Sequence, residues 1–212
     1  WITRHLYALP KEVYRIKNPE AKYYVLGRLA LEQNVGSISS ANPSTVLSVF
    51  RLINEKRKEI VEDMRKGTLS GAQNLSEQEL RRLQPHLRPN PARAAALEDL
   101  AARHGGLYPK HFWKDFTLIS NWKGGSLERY LDFYPEFFGN TEVRDIGLVA
   151  SEGRMTIPMS DKGSEGVLDI LSHFFEFVPE DAIEDKTPRT FLAHELEKGK
   201  RYFLLLTTSS GL

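Results

Sequence analysis

The sequence predicts an α/β fold, a mixed and partly parallel β-sheet flanked by helices, with a charged helical insertion at about residues 68–108. Three patterns predict it. Through the first hundred residues, apolar positions recur three to four apart behind capping residues, which is the helical period. From Tyr108 onward short β-branched and aromatic runs alternate with a helical pattern, and strand, helix, strand in succession implies a parallel pair with a crossover. Several closing strand-like runs with turns between them then imply that the sheet is mixed.

The elements follow in order. Asn18 and Pro19 supply a cap and a first-turn proline for a helix reaching about Asn34, with Tyr24, Val25, Leu29 and Leu31 as its apolar positions. "VGSISS" at 35–40 suits a brief strand or a turn between helices. Asn42 and Pro43 repeat the cap-and-proline start, and Val46, Val49, Phe50, Ile53, Ile60, Val61 and Met64 then mark one long helix that Gly67 ends. "LSEQELRRL" and "NPARAAALEDLAARHGG" read as two further helices whose charged faces place them around a core rather than at its centre. "DFTLIS" at 115–120 reads as a strand, "GGSLERYLDFYPEFFG" as a loop and helix, and "EVRDIGLVASEG" as a strand and turn. "RMTIPMS", "FFEFVPE", "TFLAHELE" and "RYFLLLTTS" read as four more strands.

Composition narrows the function classes. Twenty-nine basic against 28 acidic residues give a formal charge of +1, so no net field draws the chain to nucleic acid or to an anionic membrane. The basic run "EKRKE" at 55–59 is flanked by glutamates and reads as a solvated helix face. Without cysteine there are no disulfides, thiol nucleophiles or thiolate zinc sites. Apolar runs stay below the roughly 18 residues of a spanning helix. A cytoplasmic protein is the expectation.

Few stretches carry chemistry. Gly124 and Gly125 follow a predicted strand and precede a helix, where backbone can approach a ligand and a helix N-terminus favours anions; a tight turn without a ligand explains them as well. "VASEG" at 149–153 ends a strand with Ser151, Glu152 and a turn glycine, and ligands of open α/β sheets gather at such ends. Glu152 there suits magnesium, which takes one or two carboxylates together with phosphate and water; the alternative is a surface glutamate beside a hairpin turn. Histidines at 5, 86, 104, 111, 173 and 194 lack the spacing of a zinc enzyme, and none is assigned as a ligand. "HFFEFVPE" sets Phe175 and Phe177 on one side of a strand and Phe174 and Glu176 on the other, with core packing or stacking on a planar ring open to Phe174. Neither a Gly-x-Ser-x-Gly elbow nor a Walker-type phosphate loop occurs.

Taken in order, "VASEG", "FFEFVP" and "GKRYFLLLTTSSGL", with "DMRKGTLS" upstream, resemble the auxin-responsive Gretchen Hagen family of acyl-acid amido synthetases, in the adenylate-forming superfamily. The resemblance covers roughly residues 20–212. It implies an adenylate-forming-enzyme-like fold and an ATP- and magnesium-dependent ligase that adenylates a small carboxylic acid and passes the acyl group to an amino acid. Carried over by residue, Ser151 and Glu152 contact the adenylate and its metal, with Glu152 as catalytic and metal-binding carboxylate. Thr207, Thr208 and Gly211 line the nucleotide pocket, with Leu148 and Ala150 of "GLVASE" beside it, and Gly125 and Ser126 form the glycine turn near adenine and the acyl group. Family members place an aromatic where this chain has Leu148, a change that weakens adenine stacking by about 1 kcal/mol. An acyl-CoA ligase and a non-catalytic interaction module are the other expectations.

The same resemblance makes residues 1–212 one incomplete domain, with a phosphate loop expected before Trp1 and a ribose-gripping segment and small C-terminal domain after Leu212. The 212 residues alone are then expected to show no acid-dependent pyrophosphate exchange. The enzyme reading also requires the Glu152 turn and the threonine-rich strand to lie side by side.

Overall fold

The structure, a computed structural model, describes residues 7–208 and divides into two compact units with the boundary after Arg144. The first unit is mainly helical. Its elements are α1 (Lys11–Tyr14), α2 (Pro19–Ala30), β1 (Ser37–Ser39), α3 (Pro43–Glu55), α4 (Arg57–Lys66), α5 (Glu77–Leu83), α6 (Pro91–His104), α7 (Pro109–Phe112), β2 (Leu118–Asn121), α8 (Glu128–Leu131) and α9 (Tyr134–Phe138), followed by β3 (Glu142–Asp145). The sheet order is β1-β2-β3. The parallel pair is β1 with β2, in the register Ser37 to Leu118, Ile38 to Ile119 and Ser39 to Ser120.

Local chemistry explains the helix starts. Asn18, Asn42 and Asn90 each accept a backbone N–H of the first turn through the side-chain oxygen, and Ser76 with Glu79 forms a capping box. Every apolar position expected in 46–64 is buried, and Leu47 joins them. The expected single helix, however, is broken at Lys56. There the Arg57 Nη1 donates to the Asn54 carbonyl at 2.6 Å, taking an acceptor that the helical ladder would use, and the Asn54 side chain turns outward to bond both backbone groups of Leu107. The charged helices α5 and α6 also contribute more than decoration, since Leu83, Ala94 and Leu97 are fully buried in the main core.

One buried carboxylate joins these helices. Asp63, in the last turn of α4, is 3% exposed. Its oxygens accept hydrogen bonds from Tyr24 Oη (2.7 Å), Thr68 Oγ1 (2.5 Å) and the backbone N–H groups of Ser70 (2.8 Å) and Gly71 (2.9 Å). Gly67 caps α4 at φ +71°, where a Cβ would also lie 2.6 Å from Pro89 N, so this position needs glycine twice over. Beside it the fully buried Arg28 pairs with Glu32 at 2.9 Å and reaches the Arg88 carbonyl at 3.3 Å.

The second unit is β-rich. It comprises β4 (Val149–Ala150), β5 (Gly153–Arg154), β6 (Thr156–Pro158), β7 (Gly166–Leu168), β8 (Phe174–Pro179) and β9 (Tyr202–Thr207), paired as the antiparallel ribbons β4–β5, β6–β7 and β8–β9. Its small core is Met155, Phe175 and Phe177 with Leu204, Leu206 and Phe191 packed against them. "TFLAHELE" is not a strand: only Phe191 bridges β8 at Phe177. The Glu195 carboxylate then takes the Leu192 N–H at 2.7 Å and turns the chain into a short 3-10 helix, Ala193–Glu195. No helix among the described residues is long and apolar enough to cross a membrane.

Burial raises the Asp63 pKa, but the hydrogen bonds from Thr68, Gly71, Tyr24 and Ser70 outweigh it and leave the carboxyl below its ordinary value of 3.8. A depressed folded-state pKa contributes stability that is present above 3.8 and disappears as pH falls through the folded value. Asp63→Asn is expected to cost about 2–4 kcal/mol in urea unfolding at neutral pH, shrinking steadily below about pH 4. A pH-independent difference would show that the ionised carboxylate is not the stabilising species.

Candidate functional site

Two sets of sequence-predicted residues fall in different units. In the first, Ser39 and Asn121 end the parallel pair β1–β2, and the side chain of Asn121 ties this edge together. Its amide nitrogen donates to the Ser40 carbonyl, and its oxygen accepts from Tyr134 Oη at 2.5 Å. Burial pushes the Tyr134 phenol well above its ordinary range, so it stays a neutral donor. Gly125 and Ser126 follow β2 in an exposed 3-10 turn, Gly125–Leu127, in which Gly125 has φ +62° with open space around it. They lie beyond the carboxyl end of a parallel strand, where α/β sheets receive ligands.

In the second unit Ala150 pairs with Gly153, so Ser151 and Glu152 are the two-residue loop of the β4–β5 hairpin. Of the two readings of "VASEG", the end of a strand in an open α/β sheet and a glutamate beside a hairpin turn, the structure has the hairpin turn. The hairpin base is fixed by local bonds. Gly147 N donates to Asp145 Oδ1 at 2.6 Å, Arg154 Nη1 to the Ile146 carbonyl at 2.8 Å, and Leu148 N to Thr156 Oγ1 at 2.8 Å. Gly147 has φ +79°, and a Cβ there would meet the Thr156 oxygen at 2.3 Å. At the tip, Ser151 and Glu152 are exposed and make no side-chain hydrogen bond or ion pair with any described residue. Ala150 is exposed, and Leu148 is 54% exposed.

A further contact links the hairpin to β9. Gly153 lies against His173, which directly precedes Phe174, and Phe174 pairs with Thr207. The Ser151–Glu152 turn and the threonine end of β9 therefore share one end of this unit. Thr207 is exposed and Thr208 half-buried, while Gly211 lies outside the described residues. His173 carried no signal in the sequence beyond its place before "FFEF", because a lone histidine has no ligand spacing.

The donors at this end are hard oxygens: one carboxylate and several hydroxyls. They fit a magnesium ion bound through a single glutamate and phosphate oxygens. Among the described residues no cluster of three or more histidine, aspartate or glutamate side chains suits a metal such as zinc. A cavity of about 1000 Å³ lies elsewhere, in the first unit, bordered by Tyr7, Tyr14, Leu29, Glu32, His86 and Arg88. None of the predicted site residues lines it.

Comparison with known proteins bears on this geometry. The profile described as "GH3 family N-terminal domain" matches residues 1–143, and that described as "GH3 family central domain" matches residues 166–212. No curated protein matches the chain in sequence. Two solved structures are similar in fold. One, "GH3.15 acyl acid amido synthetase", aligns at TM-score 0.79 and 18% identity over 97% of this chain and 38% of its own. The other, "AtGH3.15 acyl acid amido synthetase in complex with 2,4-DB", aligns at 0.75 and 19% over 92% and 34%. The chain thus spans little more than a third of their length.

The hairpin separates support from function. Gly147→Ala is expected to cost about 2–3 kcal/mol in urea unfolding, from strained φ and the clash with Thr156. Ser151→Ala and Glu152→Ala should each stay within about 0.5 kcal/mol of wild type in the same experiment, as exposed and unpaired positions do.

Proposed function

The chain belongs to the GH3 family, and on that premise we propose that it is part of an ATP-dependent acyl-acid amido synthetase that activates a small carboxylic acid and joins it to an amino acid. Support comes from one geometric fact: an unpaired, exposed glutamate at the tip of a two-residue hairpin stands at the same end of its unit as the threonines that close β9. The acyl-acid amido synthetase names and the bound 2,4-DB of the structural neighbours agree with a small-acid substrate.

In this reading a carboxylate oxygen of the acid attacks the α-phosphorus of ATP and pyrophosphate leaves. The amine of the amino acid then attacks the acyl carbon, and AMP departs with the acyl carbon–oxygen bond broken. Bound magnesium would screen the phosphate charge and polarise the phosphoryl oxygens. Glu152 would hold that ion, and Ser151 Oγ and the Thr207 and Thr208 hydroxyls would donate to the nucleotide. The chain contributes positioning and polarity rather than a covalent nucleophile, which agrees with its lack of cysteine and of a serine elbow. Leu148, half-exposed where the resemblance calls for an aromatic, would pack on adenine less strongly.

The test is acid-dependent exchange of labelled pyrophosphate into ATP by the full-length protein, over a panel of carboxylic acids and then of amines. Glu152→Ala should lower exchange by at least about 10²-fold, while its unfolding midpoint stays close to that of wild type. Exchange at the wild-type rate would remove Glu152 from the metal site.

A further inference from the structure

His173 is held in an unusual position. A Cβ built on Gly153 would lie 2.5 Å from His173 Nε2 and 3.2 Å from both Cδ2 and Cε1, so the Nε2 corner of the ring abuts the glycine backbone. The ring is set edge-on to Phe175, with centroids 6.2 Å apart and planes at 87°, and Phe175 belongs to the buried core of its unit. Its Nδ1 is buried and lacks a hydrogen-bond partner among the described residues. A buried polar atom left unpaired needs a reason, and a ligand or water that completes the bond is the common one.

Together these contacts make a clamp. One side of the imidazole faces the residue that follows Glu152; the chain on its other side enters β8 at Phe174, the partner of Thr207. We propose that His173 is a positioning residue of the nucleotide site, fixing the Ser151–Glu152 turn against the Phe174–Thr207 end of the β8–β9 ribbon so that carboxylate and hydroxyls reach one magnesium nucleotide together. This rests on the adenylation reading. Gly153 is part of the device, because any side chain there would displace the ring and with it the turn. Supporting groups of this kind act through the residues they orient, and their loss lowers affinity or activity by about 10–100-fold.

The experiment uses the full-length protein as wild type, His173→Ala, His173→Gln, Gly153→Ala and the Gly153→Ala/His173→Ala pair. Calorimetric titration measures the affinity for the magnesium complex of α,β-methylene ATP, pyrophosphate exchange gives KM for ATP against kcat, and thermal melting gives stability. His173→Ala and Gly153→Ala should each weaken analogue binding and raise KM for ATP by about tenfold, and His173→Gln, which keeps a polar end, should recover most of the loss. The pair should be no worse than either single variant, because the new methyl occupies space that the ring has vacated. Variants that melt earlier but bind the analogue like wild type, or losses that add in the pair, overturn the proposal. A wild type that binds no nucleotide and exchanges no pyrophosphate overturns the adenylation reading and this inference with it; a wild type that binds, with variants that match it, overturns this inference alone.

Discussion

A buried carboxylate at a helix C-terminus is opposed twice, once by desolvation and once by the negative end of the helix dipole. Asp63 occupies such a place in the first unit, and the four hydrogen bonds it accepts overcome both effects. Arg65 and Lys66 in the same last turn favour the dipole in the opposite sense. The consequence is architectural. Through Tyr24 the carboxylate ties α4 to α2, and through Ser70 and Gly71 it shapes the loop that leads to α5. The neighbouring Met64 carbonyl, freed at the helix end, accepts from Asn90 N at 2.9 Å and so fixes the start of α6. Gly71 could not carry a side chain here, since a Cβ would fall 2.1 Å from Tyr24 Oη. "DMRKGTLS" is thus a joint between helices, and its charge is structural rather than catalytic.

The second unit works with less apolar material. Tyr202, Leu204 and Leu206 turn toward Met155, Phe175 and Phe177, whereas Phe203 and Leu205 on the opposite face of β9 remain 45% and 43% exposed. A strand apolar on both faces ordinarily belongs to a sheet covered on both sides, which is why "YFLLL" reads as a buried strand in the sequence. With so small a core, the shape of the hairpin depends on specific bonds. Asp145, Arg154 and Thr156 each satisfy a backbone group at its base, and the tip is carried on that base rather than on packing.

Capping chemistry was the most legible layer of the fold. Asn18, Asn42, Asn90 and Ser76 announce their helices because the interaction that starts each one lies within four residues of sequence. Gly67 announces a helix end in the same way, with positive φ. Where distant groups decide, the sequence misleads. Leu107 engages the side chain of Asn54 near the break at Lys56, and Glu195 removes the N–H that "TFLAHELE" would have needed for a strand. The Ser151–Glu152 turn was legible as turn chemistry, but the sequence could not choose between a hairpin and the end of a longer strand, because two-residue strands carry no periodicity. His173 was hidden for a related reason: its significance lies in touching a glycine twenty residues earlier in the chain, and a glycine signals no contact.

Several carboxylates of the second unit are paired. Glu176 accepts from Thr190 Oγ1, Glu180 meets Arg201, Glu195 meets Arg189 and Glu197 meets Lys200. Ser151 and Glu152 are exposed at the tip, so water can solvate them and leaving them unpaired costs little. The buried Nδ1 of His173, by contrast, has no hydrogen-bond partner among the described residues. The turn is thus fixed from below, by the bonds of Asp145, Arg154 and Thr156 and by the contact of Gly153 with a ring set edge-on to the core residue Phe175, while its own two side chains stay solvated.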